Sequence, residues 1–222
     1  MRLQIGFTVI ALIVFGFSKG QPVPSASENI DFICTFGKEA EITWGDDDFV
    51  QTFFFIVPKT NKEPVYIRIF DPNTGGKHDQ LNTIEPTWNT TTRFSVFGGK
   101  GAFSNADAQK PFPRGNFKSG VQLFTATFGN ENTYDDKWYS FGPLNPAEGE
   151  YVKEFDAYVF KIVSESYEGN DGNLYRYFFS QSRSANVPVE GSNAFTYKYT
   201  FRLKSGNLHF VYLEIGDDPK SE

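Results

Sequence analysis

Three short stretches gather the side chains best suited to holding a hard cation. Asp71-Pro72-Asn73-Thr74-Gly75-Gly76-Lys77-His78-Asp79 offers Asp71, Asn73 and Asp79, and Glu168-Gly169-Asn170-Asp171-Gly172-Asn173 offers Asn170, Asp171 and Asn173. Asn130-Glu131-Asn132-Thr133-Tyr134-Asp135-Asp136 repeats the chemistry. Calcium takes roughly six to eight oxygen ligands, carboxylates and amide carbonyls among them. The six named residues are therefore candidate metal ligands, and Ca2+ is the candidate cofactor. The spacing is not that of an EF-hand, because the twelfth position counted from Asp71 is Asn82 and not Glu. The same residues also read as plain turns, in which Asp caps backbone amides and Gly takes positive φ. Both readings stand at this level. The Asp46-Asp47-Asp48 run is a solvated loop or, by the repulsion among its carboxylates, a further cation contact.

Trp44 and Trp138 are candidate ligand-binding residues, since an indole beside a groove can stack on a sugar ring; packing into the core is the competing role. Machinery for catalysis is hard to find. The chain has two histidines, His78 and His209, and neither a Gly-x-Ser-x-Gly nor a His-Glu-x-x-His pattern. Gly98-Gly99-Lys100-Gly101 lacks P-loop spacing and reads as a hairpin turn. Cys34 is the only cysteine, so the chain has no intramolecular disulfide. Paired carboxylates for glycoside hydrolysis need to be close only in space, and acidic residues are plentiful.

The elements that must position these groups are strands. Short apolar runs alternate with Gly, Asn, Asp and Pro clusters, and no segment sustains a 3.6-residue period. Strands are predicted near 31–36, 40–44, 51–57, 64–70, 92–97, 121–128, 137–141, 154–164 and 174–180, followed by a terminal hairpin of 195–203 and 208–215. The uniformly apolar Phe53-Phe54-Phe55-Ile56-Val57 suits a strand covered on both faces. The expected fold is all-β, an antiparallel β-sandwich or jelly roll of about ten strands. Aromatics make up 18% of the chain, with 25 Phe and 11 Tyr, so its core is expected to be built from rings.

Arg2, the apolar run Ile5 to Phe17 and the Ser18-Lys19-Gly20 exit have the form of a cleavable signal peptide over 1–20. The run is shorter than the roughly 20 residues a helix needs to cross a bilayer, so no transmembrane anchor is expected in the mature chain. A flexible lead over 21–29, one domain over 30–215 and a polar tail over 216–222 complete the organisation. The net charge of −6 becomes −8 once the two basic residues of the leader are removed, which argues against nucleic acid and anionic membranes as partners.

Four blocks read together carry a resemblance: Arg68-Ile69-Phe70-Asp71-Pro72-Asn73-Thr74-Gly75-Gly76, Arg93-Phe94-Ser95-Val96-Phe97-Gly98-Gly99, Trp138-Tyr139-Ser140-Phe141-Gly142-Pro143-Leu144 and Gly172-Asn173-Leu174-Tyr175-Arg176-Tyr177. The chain resembles secreted bacterial envelope β-sandwich proteins. More loosely, the first block is similar to the strand and Asp-Pro turn of pre-peptidase C-terminal domains, which are jelly-roll-like, non-catalytic and in some cases calcium-binding. The resemblance implies a secreted or periplasmic, envelope-associated module. The expected function is non-enzymatic binding of a glycan or an extracellular or envelope protein, stabilised by calcium. A secreted carbohydrate-active enzyme using paired carboxylates is the alternative, and a small outer-membrane β-barrel the third reading.

Overall fold

The computed structural model describes residues 22–25, 30–44 and 48–201. Their strands form two antiparallel sheets stacked as a sandwich, as the alternation of apolar and polar residues predicts. In the first sheet β10 (Gly172–Ser180) pairs with β1 (Pro22–Val23), β2 (Ile33–Phe36) and β4 (Val65–Phe70), and β4 pairs with β7 (Trp138–Leu144). The second runs β11 (Asn193–Phe195), β3 (Val50–Pro58), β9 (Ala157–Glu168), β5 (Thr91–Gly98), β6 (Val121–Phe128), with β8 (Glu150–Val152) also on β9. These strands make two sheets rather than one closed barrel, which removes the membrane-barrel reading. No helix among the described residues is long and apolar enough to cross a membrane.

Period-two alternation decides what enters the core. Val65, Ile67 and Ile69 of β4 and Tyr175, Tyr177 and Phe179 of β10 face Phe53, Phe55 and Val57 of β3, Phe94 and Val96 of β5, and Phe160 and Ile162 of β9. The rings meet edge to face: Phe94 and Tyr175 lie 4.9 Å apart at 90°, Phe53 and Tyr177 5.4 Å apart at 61°. Such pairs add about 0.5–1.5 kcal/mol each beyond burial. Burial pushes the Tyr175 hydroxyl up to about 12, and it sits 2.6 Å from both Thr35 Oγ1 and Ser164 Oγ. Cys34 is a buried thiol.

The apolar run of β3 is covered on both faces. Phe54 points out of the sandwich, under Phe103 at 5.4 Å and Phe195 at 5.2 Å. The cover comes from β11 and from the 99–120 connection, which Lys161 holds down. Lys161 is fully buried, donates to the carbonyls of Phe117 at 2.6 Å and Ser119 at 2.7 Å, and stands 5.0 Å from the Phe97 ring. Burial drives its amine down to about 8. Lys161→Ala is expected to cost about 2–4 kcal/mol, through the cavity and two orphaned carbonyls, and to speed amide exchange at Phe117 and Ser119. Urea denaturation checks this, and a loss below about 1 kcal/mol would mean the lysine holds nothing.

Three sequence expectations are corrected. Residues 40–44 hold a 3-10 turn, Ile42–Trp44, instead of a strand, because the Glu41 carboxylate accepts from both Thr43 N and Thr43 Oγ1 and curls the chain. The strand expected over 154–164 begins only at Ala157, because the residues before it form the tight turn from β8 into β9 in which Asp156 has φ 49°. The 195–203 strand breaks: Phe195 and Tyr197 pack on Phe54, but Tyr199 turns to Phe53, Thr200 O accepts from Cys34 N, and Phe201 bridges to Ile33. The segment thus crosses from the edge of one sheet to the edge of the other. The expectations for 1–20, 208–215, His209 and the tail lie outside the described residues, as do Asp46 and Asp47.

Candidate functional site

The fold brings the three polar stretches together at one end of the sandwich, beyond β4, β6 and the start of β10. Asp71, with φ 57°, accepts from Asp136 N at 2.9 Å. Asn73 accepts from Tyr134 N at 2.9 Å and donates to Gly129 O at 3.2 Å. The Asp79 carboxylate is enclosed by the amides of Gly75 at 2.6 Å and Leu174 at 2.5 Å. Asp171 accepts from Asn82 N at 2.9 Å and Asn89 N at 2.8 Å, and Asn173 donates to Pro72 O at 2.9 Å and Thr92 Oγ1 at 3.1 Å. Asn170 donates its own amide to Asn89 Oδ1 at 2.9 Å.

These side chains therefore knit loops through backbone amides, the role that Asp and Asn play in turns, extended here over long sequence separations. Sequence reasoning missed Asn82, Asn89, Thr92 and Thr90, whose Oγ1 accepts from Asp171 N at 2.8 Å; the contribution of each depends on which loop faces it. Some oxygens stay free of protein donors: Asp135 Oδ1, Asn170 Oδ1 and Asn173 Oδ1 are buried without a hydrogen bond. Burial raises Asp71 to about 6 and Asp79 to about 8, and neighbouring carboxylates, Asp135 for both and Asp71 for Asp79, push in the same direction against the amides. No group of three or more His, Cys, Asp or Glu among the described residues is placed to hold one metal ion.

A second arrangement lies on the outer face of the first sheet. Strand register sets it out as two rows, Arg176–Phe70–Trp138 and Phe178–Arg68–Ser140, running across β10, β4 and β7. Phe70 and Trp138 are 5.3 Å apart, and Phe178 meets Trp138 edge-on at 6.4 Å. The Arg68 guanidinium is 5.0 Å from the Trp138 ring centroid, and that of Arg176 is 4.4 Å from Phe70 and 6.0 Å from Trp138. Arg68 is only 4% exposed, and its hydrogen-bond partners, Ser140 Oγ and Asn186 Oδ1, are neutral. Burial pulls its pKa below the usual arginine range.

Trp138 thus sits half-buried on a sheet surface. Trp44 ends the 3-10 turn, away from this grid in sequence and element. Arg68 and Arg176 were not among the candidate site residues read from the sequence. The signal was present, since each is a charged residue between the alternate core positions of a strand: Ile67 and Ile69 flank Arg68, and Tyr175 and Tyr177 flank Arg176. Comparison with known proteins gives no match among family models, curated proteins or solved structures. The two-sheet antiparallel sandwich is accordingly the part of the family resemblance that the structure carries.

Proposed function

We propose that the protein is a non-enzymatic binding module of a secreted or envelope compartment, and that it takes up a glycan on the outer face of its first sheet around Trp138. The observation that carries this reading is the half-buried indole, framed by Phe70 and Phe178 on rigid strands. An aromatic platform of this kind offers a flat apolar surface to the C–H face of a sugar with little ordering cost. The compartment rests on the form of the leader. Asp71 and Asp79, the carboxylates with raised pKa, accept backbone amides and so hold loops, which favours binding over the paired-carboxylate enzyme.

Affinity electrophoresis of the protein through gels containing polysaccharides tests the reading. Retardation that Trp138→Ala weakens about tenfold or more supports it, whereas release of reducing sugar over time would support the enzyme instead. Calcium stabilisation of the loop end is a second reading. It is favoured by the buried, unpartnered Asp135 Oδ1 beside two carboxylates that resist ionisation. A melt with calcium and with a chelator decides it, because a ligand bound only by the folded state raises Tm; a shift that survives Asp135→Asn would place the ion elsewhere.

A further inference from the structure

The ion pairs among the described residues are made by lysines and His78, and none involves an arginine. Arg68 and Arg176 lie on the outer face of the first sheet, both against rings and Arg68 also against neutral oxygens. Arg176 Nε is moreover buried without a hydrogen-bond partner. Holding guanidinium charge in partly desolvated surroundings without a carboxylate is costly, and the cost falls when an anion docks. In a chain of net charge −6 this face is a local exception.

We infer that the glycan bound at this face is acidic, a polysaccharide of carboxylate-bearing (uronic acid) sugars. The inference rests on the glycan-binding reading above. Trp138 supplies the stacking surface for the sugar ring. Arg176, half-buried beside it, supplies the planar fork that matches a carboxylate with two parallel hydrogen bonds. Arg68 is buried beneath the indole and acts through it: its guanidinium lies 5.0 Å from the ring and is fixed by Ser140 and Asn186, so it positions Trp138 and adds positive potential. Ser140 is itself tied down, donating to Arg183 O at 2.8 Å.

The test is affinity electrophoresis and titration calorimetry of the protein with polygalacturonate and alginate as carboxylated glycans. Dextran serves as a neutral glycan, and poly-glutamate as a carboxylate polymer without sugar. The expected result is binding to a carboxylated glycan alone, weakened by salt and reduced about tenfold by Arg176→Gln and by Trp138→Ala. Arg176→Lys is expected to recover little, because an ammonium cannot form the fork. Dextran binding as tight as that of the carboxylated glycans, unchanged by Arg176→Gln, would overturn the acidic specificity and leave the glycan reading standing. Equal binding of poly-glutamate, or no binding of any polysaccharide, would overturn both. Thermal melts of each variant separate lost binding from lost folding, and Trp138→Phe, which keeps a ring in place, guards against a variant that fails to fold.

Discussion

Gly169→Ala is expected to unfold the loop end and to destabilise the domain by at least about 3 kcal/mol. Gly169 has φ +79°, and a Cβ there would stand 2.4 Å from Thr90 N and Cα and 2.5 Å from Asn89 C. All are backbone atoms of a neighbouring segment, so no side-chain rotation relieves the overlap. The same junction holds Gly37, whose own Cβ would meet Gly169 O at 2.2 Å. Three backbones converge there, with Glu39 N donating to Gly169 O at 2.8 Å and Gly37 N to Asp171 O at 2.9 Å. Asp171 then clasps Asn82 and Asn89. Gly99→Ala is the control: φ is +63°, but the nearest obstacle is the Val121 side chain at 3.3 Å, so the cost reduces to backbone strain of about 1–2 kcal/mol. Urea denaturation of both variants measures the contrast. Equal, small losses would mean the junction gives way easily and does not organise the site.

The second large effect is a fall in stability as pH rises from about 4 to 8. Asp71 and Asp79 are raised in the folded state, to about 6 and about 8, so the folded protein holds protons that the unfolded chain has released. Their stabilising contribution is complete below the ordinary carboxylate range. It is lost as pH passes through 6 and then 8. A tenfold difference in proton affinity between the folded and unfolded states corresponds to about 1.4 kcal/mol; after discounting for the partial exposure of Asp79 and the coupling of the pair, a loss on the order of 2–4 kcal/mol is expected. Denaturation at pH 5 and pH 8 reads the difference directly, and Asp79→Asn should flatten most of it. Staying at or below pH 8 largely avoids the opposite trend from Lys161, whose lowered pKa makes stability rise from about 8 towards 10.5. If calcium binds at the loop end, added calcium should restore stability at pH 8 and leave pH 5 almost unchanged. A protein equally stable at both values would mean that the amides of Asp136, Gly75 and Leu174 fully compensate the burial of these carboxylates.

Strand alternation was readable in the chain because the side-chain period of two is a local property. Ile67 and Ile69 against Arg68 needed no partner to reveal opposite faces, whereas the uniformly apolar run from Phe53 to Val57 showed only that both of its faces are covered. Where local patterning misled, a competing contact had won. The aromatic positions 195, 197, 199 and 201 share a parity, yet Phe195 and Tyr197 go to Phe54 on the outside and Tyr199 to Phe53 on the inside, because the segment changes sheets. At 40–44 the Glu41 side chain offered the backbone a closer partner than any neighbouring strand.

The amino-acid sequence by itself determined that the chain forms antiparallel strands around an aromatic core without disulfides, and which turns carry Asp, Asn and Gly. Those properties follow from periodicity, composition and turn chemistry, each expressed within a few residues. Tertiary structure alone decided what the polar side chains do. Asp79 meets Leu174 and Asn173 meets Pro72 across about a hundred positions, and Arg176, Phe70 and Trp138 share one row only through the register of three strands. Contacts of that range are set by which sheet edges pair. Pairing is a collective outcome of packing the core, and no local pattern encodes it.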